Sequence, residues 1–191
     1  MTKSSKLLGA LRAAALAGVL ISPGLVRAAD AVPAHYQELY FDAAREGRVD
    51  LLQGMVKDSM PIDAHNGQGY TALILAAYDG QLEAVNFLIG KGADPCAVDP
   101  KGNSALMGVA FKGEIAVAQA LVPRCDVNAT NHVGQTAVMM ASLFGHKDMV
   151  RLLSEHGAKL GLKDASGNTA QGLAHQQGNA EMEALLAELQ R

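Results

Sequence analysis

The sequence predicts an all-α solenoid built from about five helix-turn-helix repeats of about 33 residues each. One glycine recurs at intervals of 33, 33, 32 and 33 residues, at Gly47, Gly80, Gly113, Gly145 and Gly178. A Gly-x-Thr/Ser triplet recurs at intervals of 33, 32 and 33 residues, beginning at Gly69, Gly102, Gly134 and Gly167. Both series lose one residue in the same repeat, so they mark a single repeating unit.

Each repeat is predicted to form two short helices. Thr71 precedes the apolar residues 73–77, and its hydroxyl can accept a hydrogen bond from a free backbone N–H at a helix start. Gly80 can adopt the left-handed conformation that ends a helix, and residues 82–89 then continue with apolar side chains at helical spacing. One such pair cannot bury its apolar face alone, so the pattern predicts stacked repeats that share a continuous core.

This pattern resembles the ankyrin repeat. The matching segments are 69–73 (GYTAL), 76–80 (AAYDG), 92–94 (GAD), 145–153 (GHKDMVRLL) and 157–158 (GA). The resemblance covers about residues 36–191 and implies a binding module, with hairpin-like loops near 65–70, 98–103, 130–135 and 163–168. The expected repeat boundaries are 36–65, 66–98, 99–130, 131–163 and 164–191.

The departures from the family pattern are also informative. The family usually has Pro after the Thr, where this chain has Ala72, Ala105, Ala137 and Ala170. Two positions further on, the family's His is replaced by Ile74, Met107, Met139 and Gly172, which should keep the apolar packing. Repeat three is one residue short near Pro123, so we expect its second helix to end early. Repeat one lacks a hairpin signature, and both end repeats resemble caps.

Residues 1–28 have the layout of a secretory signal peptide. Four basic residues and no acid accompany a short apolar run at 13–21, and small or aliphatic residues precede a cleavage point after Ala28. The alternative is a membrane anchor, which the run disfavours because a spanning helix needs roughly 20 apolar residues. We therefore expect an exported, periplasmic protein with a short linker at 29–35.

The charge of the mature chain excludes some partners. Without the leader, 12 basic and 19 acidic residues remain, a net charge of −7. An acidic surface repels phosphate backbones and anionic lipid, so we expect neither nucleic acid nor membrane as a partner. The expected partner is a periplasmic protein of unknown identity.

The sequence contains no catalytic or metal-binding constellation that we can defend. The six histidines form no His-x-x-x-His pair, and no Ser lies in a Gly-x-Ser-x-Gly context. His146 stands where ankyrin repeats commonly carry His, and His65 and His132 fall near hairpin tips two repeats apart. We therefore predict no enzyme activity, no cofactor and no metal.

Three classes of function remain open. The first is a binding module, acting either as a scaffold or helper of an oxidative-stress enzyme, or as an inhibitor or immunity protein against an envelope enzyme or toxin. The helper version follows from the resemblance, because some exported bacterial ankyrin proteins are associated with catalase. The second class is an enzyme, and the third is a self-associating part of an envelope assembly.

Two cysteines, Cys96 and Cys125, fall in successive inter-repeat loops. Equivalent positions in adjacent repeats lie too far apart for a bond, but this pair is offset by three residues and repeat three is one residue short. A disulfide requires Cα atoms within about 7 Å. The sequence leaves two outcomes open: a disulfide, or a buried Cys125 with a free Cys96 thiol.

The resemblance also indicates where a partner would bind. Ankyrin repeats usually meet their partners with the hairpin tips and the exposed ends of the first helices, on the concave face. The two residues before each marker glycine lie there, and in the middle three repeats they include aromatic and large apolar side chains, whereas the outer two pairs are polar. The predicted partner-binding residues are Tyr70, Tyr78, Asp79, Phe111, Lys112, Leu143 and Phe144. The alternative is that some rings fold back and fill gaps between repeats.

Overall fold

The protein is described by a computed structural model that covers residues 33–191, and these residues form five pairs of antiparallel helices. The first helices of the repeats are α1 (Ala34–Arg45), α3 (Ala72–Tyr78), α5 (Ala105–Lys112), α7 (Ala137–Leu143) and α9 (Ala170–Gln176). The second helices are α2 (Val49–Lys57), α4 (Leu82–Gly90), α6 (Ile115–Leu121), α8 (Lys147–Glu155) and α10 (Ala180–Leu189). The all-α solenoid expected from the sequence is confirmed.

The helices stack in two layers. Each first helix packs on the first helix of the next repeat, and each second helix packs on the next second helix. Small residues such as Ala76, Ala77 and Ala110 are fully buried in the first layer, which lets neighbouring backbones approach closely. The side chains that replace the family's His are buried as well, at Ile74, Met107 and Met139. The core therefore runs along the whole array.

Local sequence signals fix the helix ends. The hydroxyls of Thr71, Ser104, Thr136 and Thr169 accept hydrogen bonds from the backbone N–H three residues later. All five marker glycines have positive φ values between 65° and 82°. An L side chain rarely adopts that conformation, so glycine is needed where the first helix ends.

The loops form hairpin-like turns. Isolated antiparallel bridges join His65 to Thr71 and Val98 to Ser104. Each turn is closed by an Asn or Asp side chain that accepts backbone N–H groups two and four residues later, a role that the sequence analysis did not anticipate. These residues recur on the same spacing as the glycines, at Asn66, Asp99, Asn131 and Asp164.

Repeat three has a shortened second helix. The α6 helix has seven residues, whereas α4 and α8 have nine each, which confirms the early end expected near Pro123. At the other end of the array, α1 begins at Ala34, within the segment expected to be a linker. The expected signal peptide, residues 1–28, lies outside the described residues.

Candidate functional site

Three aromatic rings lie in a row across the middle of the array, and we call this row the aromatic stripe: Tyr78, Phe111 and Phe144. Tyr78 and Phe111 stack with ring centroids 6.0 Å apart and planes inclined by 20°. Phe111 and Phe144 meet edge to face, with centroids 4.3 Å apart. Tyr78 is 40% exposed and Phe144 is 47% exposed, whereas Phe111 between them is partly buried.

The third ring joins the stripe from a different position in its repeat. Tyr78 and Phe111 precede their marker glycines by two residues, at the ends of α3 and α5. The equivalent residue in repeat four is Leu143, and Phe144 follows it directly as the residue that caps α7. The different attachment point accounts for the edge-to-face contact in place of a parallel stack.

An open groove of about 520 Å³ lies beside the stripe. Of the seven residues predicted to bind a partner, Tyr70, Tyr78, Asp79 and Phe111 line it. Lys112, Leu143 and Phe144 lie outside its lining. The groove is also lined by residues that the sequence analysis did not assign to the binding surface. They include Ile74, Leu75, Met107 and Met140 from the first helices, Asp99 and Lys101 from the hairpin turn, and the exposed Arg45 at the end of α1.

Cationic side chains border the apolar part of this surface. The Lys112 Nζ lies 4.9 Å from the centroid of the Tyr78 ring, a cation–π contact. Arg45 and Lys101 line the groove, together with the carboxylates of Asp79 and Asp99. Among residues 33–191, none of these five residues belongs to the ion pairs Arg48–Asp50 and Lys147–Glu181 or to the hydrogen-bonded pair His175–Glu183. The Asp99 carboxylate is buried and accepts hydrogen bonds from Lys101 and Asn103 within its own turn. The other four charged side chains are exposed, so their charges remain available to a ligand.

Hydrogen bonds between repeats hold the backbone near the ends of two first helices. The Nε2 atom of His146 lies 2.9 Å from the carbonyl oxygen of Phe111. The Gln81 side-chain amide donates to the carbonyl of Arg45, which occupies the equivalent place in repeat one, at 3.0 Å. His146 thus has a structural contact, and the end of α5 is held against repeat four.

Cys96 and Cys125 form a disulfide, with their Cα atoms 5.5 Å apart. The bond joins the loop that follows α4 to the loop that follows α6. The offset of three residues and the shortened α6 bring the two cysteines within reach of each other. Of the two outcomes that the sequence left open, the structure therefore contains the bonded one.

Two further kinds of feature are absent from the part of the chain that the structure describes: a metal site and a membrane-spanning helix. Among residues 33–191, no three His, Cys, Asp or Glu side chains come together where they could hold a metal ion. No helix in the same range has the length and apolar character that crossing a membrane requires.

Comparison with known proteins identifies the family. The family model described as ankyrin repeats (3 copies) matches residues 39–131 and 106–190, which together span nearly all of the described chain. The chain belongs to the ankyrin repeat family. Such repeats are generally non-catalytic modules that bind other proteins.

The chain is similar to ankyrin repeat proteins of very different lengths. An ankyrin repeat-containing protein of Treponema pallidum is 33% identical over 143 residues, covering 73% of this chain and 47% of its own length. The ankyrin repeat protein YahD of Escherichia coli is 27% identical over 187 residues, covering 77% of this chain and 93% of its own length. The palmitoyltransferase AKR1 of Lachancea kluyveri is 28% identical over 151 residues, covering 76% of this chain but 20% of the enzyme.

These coverages limit what the relatives imply. The chain spans less than half the length of the Treponema protein and a fifth of the palmitoyltransferase. An ankyrin array can thus form part of an enzyme, as in AKR1. Membership of the family supports protein binding, and any more specific role has to come from the surface of this chain.

Proposed function

We propose that the chain is an exported, non-catalytic interaction module that binds a periplasmic protein through the aromatic stripe and the adjoining groove on its concave face. The observation that carries the proposal is the cluster of partly exposed rings at positions where the outer repeats have polar residues. Aromatic anchors with a polar rim are typical of protein interfaces, in which a few such residues supply most of the binding energy.

The groove suits a segment of a protein better than a compact small molecule. The rings of the stripe come from three successive repeats, and the groove beside them is open to solvent. A small-molecule site generally encloses most of its ligand. An elongated apolar segment of a partner could contact all three rings at once, with Arg45, Lys101 and Lys112 at its edge.

Photo-crosslinking from within the surface tests the proposal. A photoreactive amino acid at position 144 should give an adduct with a distinct periplasmic protein. The matched control is the same amino acid at position 51, because Leu51 is a 37% exposed apolar residue on α2, in the other helix layer. Equal adducts from both positions, or an adduct from position 51 alone, would show that the partner uses another face.

The proposed location has its own test. If the leader is removed after Ala28, the exported protein begins at Ala29, and its intact mass reports this directly. A product that retains residues 1–28 and stays in the membrane fraction would support the anchor instead. The crosslinking result does not depend on this outcome.

A further inference from the structure

The disulfide occupies a position where the neighbouring repeats use a hydrogen-bonded clamp. Cys96 is equivalent to Asp63 in the preceding loop and to Asn128 in the following loop, at separations of 33 and 32 residues. Each of these two side chains reaches the loop of the next repeat. We call them the loop clamps.

The loop clamps on either side of the disulfide share one hydrogen bond to an equivalent backbone N–H group. Asp63 Oδ1 accepts from the Asp94 N–H at 3.0 Å. Asn128 Oδ1 accepts from the Lys159 N–H at 2.8 Å, and Asn128 Nδ2 donates to the Gly157 carbonyl at 3.1 Å. The Cys96 Sγ lies 3.4 Å from the Arg124 carbonyl, the counterpart of the Gly157 carbonyl, and is bonded to Cys125. The disulfide therefore replaces a loop clamp at the junction of repeats two and three.

We propose that Cys96–Cys125 is a thiol–disulfide exchange site, which a dithiol reductant opens while the repeats remain folded. The neighbouring junctions hold together with one or two hydrogen bonds in the same place, so a covalent bond is not required for the stack. Cys96 is exposed, which gives an attacking thiolate access, and Cys125 is partly exposed. The pair contains both cysteines of the chain, so no other junction can respond to reduction.

The exchange is a two-step displacement. A thiolate of the reductant attacks the Cys96 sulfur, a mixed disulfide forms, and Cys125 leaves as a thiolate that takes up a proton. The second thiolate of the reductant then attacks the reductant sulfur that is bonded to Cys96. This releases Cys96 as a thiolate, which is protonated in turn. Two electrons and two protons pass to the protein, and the reductant ends as a disulfide.

Reduction weakens one junction selectively. In the next junction, Asn128 accepts a hydrogen bond from the Lys159 N–H, and the equivalent N–H here belongs to Asp126. A sulfur atom is a weak hydrogen-bond acceptor, so a Cys96 thiol cannot replace that bond. The stack of Tyr78 on Phe111 crosses the same junction of repeats two and three. Opening the disulfide should therefore loosen two of the three rings of the stripe. This last coupling, which rests on the proposed function, makes partner affinity depend on the redox state.

The test begins with the exported protein treated with dithiothreitol in the absence of denaturant, with alkylation and intact mass used to follow the free thiols. We expect both thiols to appear much faster than the protein unfolds. The closed loop spans 29 residues, so its opening should lower the melting temperature by about 10 °C. Amide exchange should become faster at the ends of α3 and α5 and in the loops after α4 and α6.

Two double variants separate the clamp from the covalent bond. Cys96→Ser with Cys125→Ser should melt like the reduced protein. Cys96→Asn with Cys125→Ala copies the residues of the next junction, Asn128 and Ala158. This variant should recover at least half of the lost melting temperature, and dithiothreitol should not change its melting temperature. The proposal is overturned if thiols appear only as fast as global unfolding, if reduction leaves the melting temperature unchanged, or if the two double variants melt alike. None of these measurements uses the partner, so they remain valid if the proposed function fails.

Discussion

The central and outer repeats share a backbone but differ at one surface position. Two residues before the marker glycine, the outer repeats have Arg45 and Gln176, which are exposed polar side chains. The central repeats have Tyr78, Phe111 and Leu143 at the same place. Every one of the five glycines nevertheless adopts the same left-handed conformation. Four of the five first helices end two residues before that glycine, and α5 continues one residue further, to Lys112. The fold therefore does not need apolar side chains at this position.

The buried layer behaves in the opposite way. The apolar position near the end of each second helix is filled in all five repeats, central and outer alike, by Met55, Leu88, Leu121, Leu153 and Leu186. A position that is constant along the array is explained by packing, and one that varies between centre and ends calls for another explanation. This contrast is the basis for assigning the stripe to binding.

Replacing the buried apolar residue of a second helix should have the largest effect on stability. Leu121→Ala in the centre and Leu186→Ala at the end should each lower the free energy of unfolding by about 2–5 kcal/mol, because both side chains are fully buried. Urea denaturation followed by circular dichroism measures the loss. If one of the two replacements were neutral, the core would not be uniform along the array.

Helix capping should give an intermediate and equally uniform effect. Thr136→Ala removes the hydroxyl that accepts the Met139 N–H, and Thr169→Ala removes the one that accepts the Gly172 N–H. Each change should cost about 1 kcal/mol, in a central and in an outer repeat respectively. Thr136→Ser serves as the control because it keeps the oxygen. A cost restricted to the central repeat would mean that Thr136 does more than cap its helix.

The smallest expected effect is on the acid side of the stability curve. Hydrogen bonds from the Asn168 backbone and side chain, followed by one from Ser166, lower the pKa of the Asp164 carboxylate. Because this pKa is lower in the folded than in the unfolded state, the ionised carboxylate stabilises the fold at pH values above the unfolded-state pKa near 4. That stabilisation is lost as the pH falls through the folded-state pKa. Asn66 and Asn131 make the equivalent backbone bonds without a charge. Asp164→Asn should therefore fold normally and lose slightly less stability than the wild type between pH 5 and about pH 2. A steeper acid loss in the variant would contradict this assignment.

The repeat itself could be predicted from the sequence because each signal has a local cause. A glycine that must take positive φ recurs in all five repeats, and a Thr or Ser hydroxyl that caps the first helix recurs in repeats two to five. Both signals therefore repeat with the period of the chain. The shortened α6 followed from one missing residue in both series. The Asn and Asp residues of the turns, such as Asn66 and Asp99, were visible on the same spacing and were overlooked.

The site was less predictable because it depends on contacts between repeats. The pattern located the positions of Tyr78 and Phe111, but the path of the chain after α7 decides that Phe144 rather than Leu143 meets the Phe111 ring. The groove also includes Met107 and Met140, whose place in the lining depends on how successive first helices pack. The disulfide depends on the loop path around the missing residue, which spacing alone does not give.

The most direct test of the central claim is a titration of the captured partner with variants of the stripe, paired with urea denaturation of each variant. Phe111→Ala and Phe144→Ala should each weaken binding by about 2 kcal/mol, roughly 30-fold. Phe144→Ala should cost less than about 1 kcal/mol of stability because its ring is half exposed, and Leu51→Ala should leave the affinity unchanged. If the ring variants unfold the protein while the folded remainder binds as tightly as the wild type, the rings belong to the core and the stripe is not the binding surface.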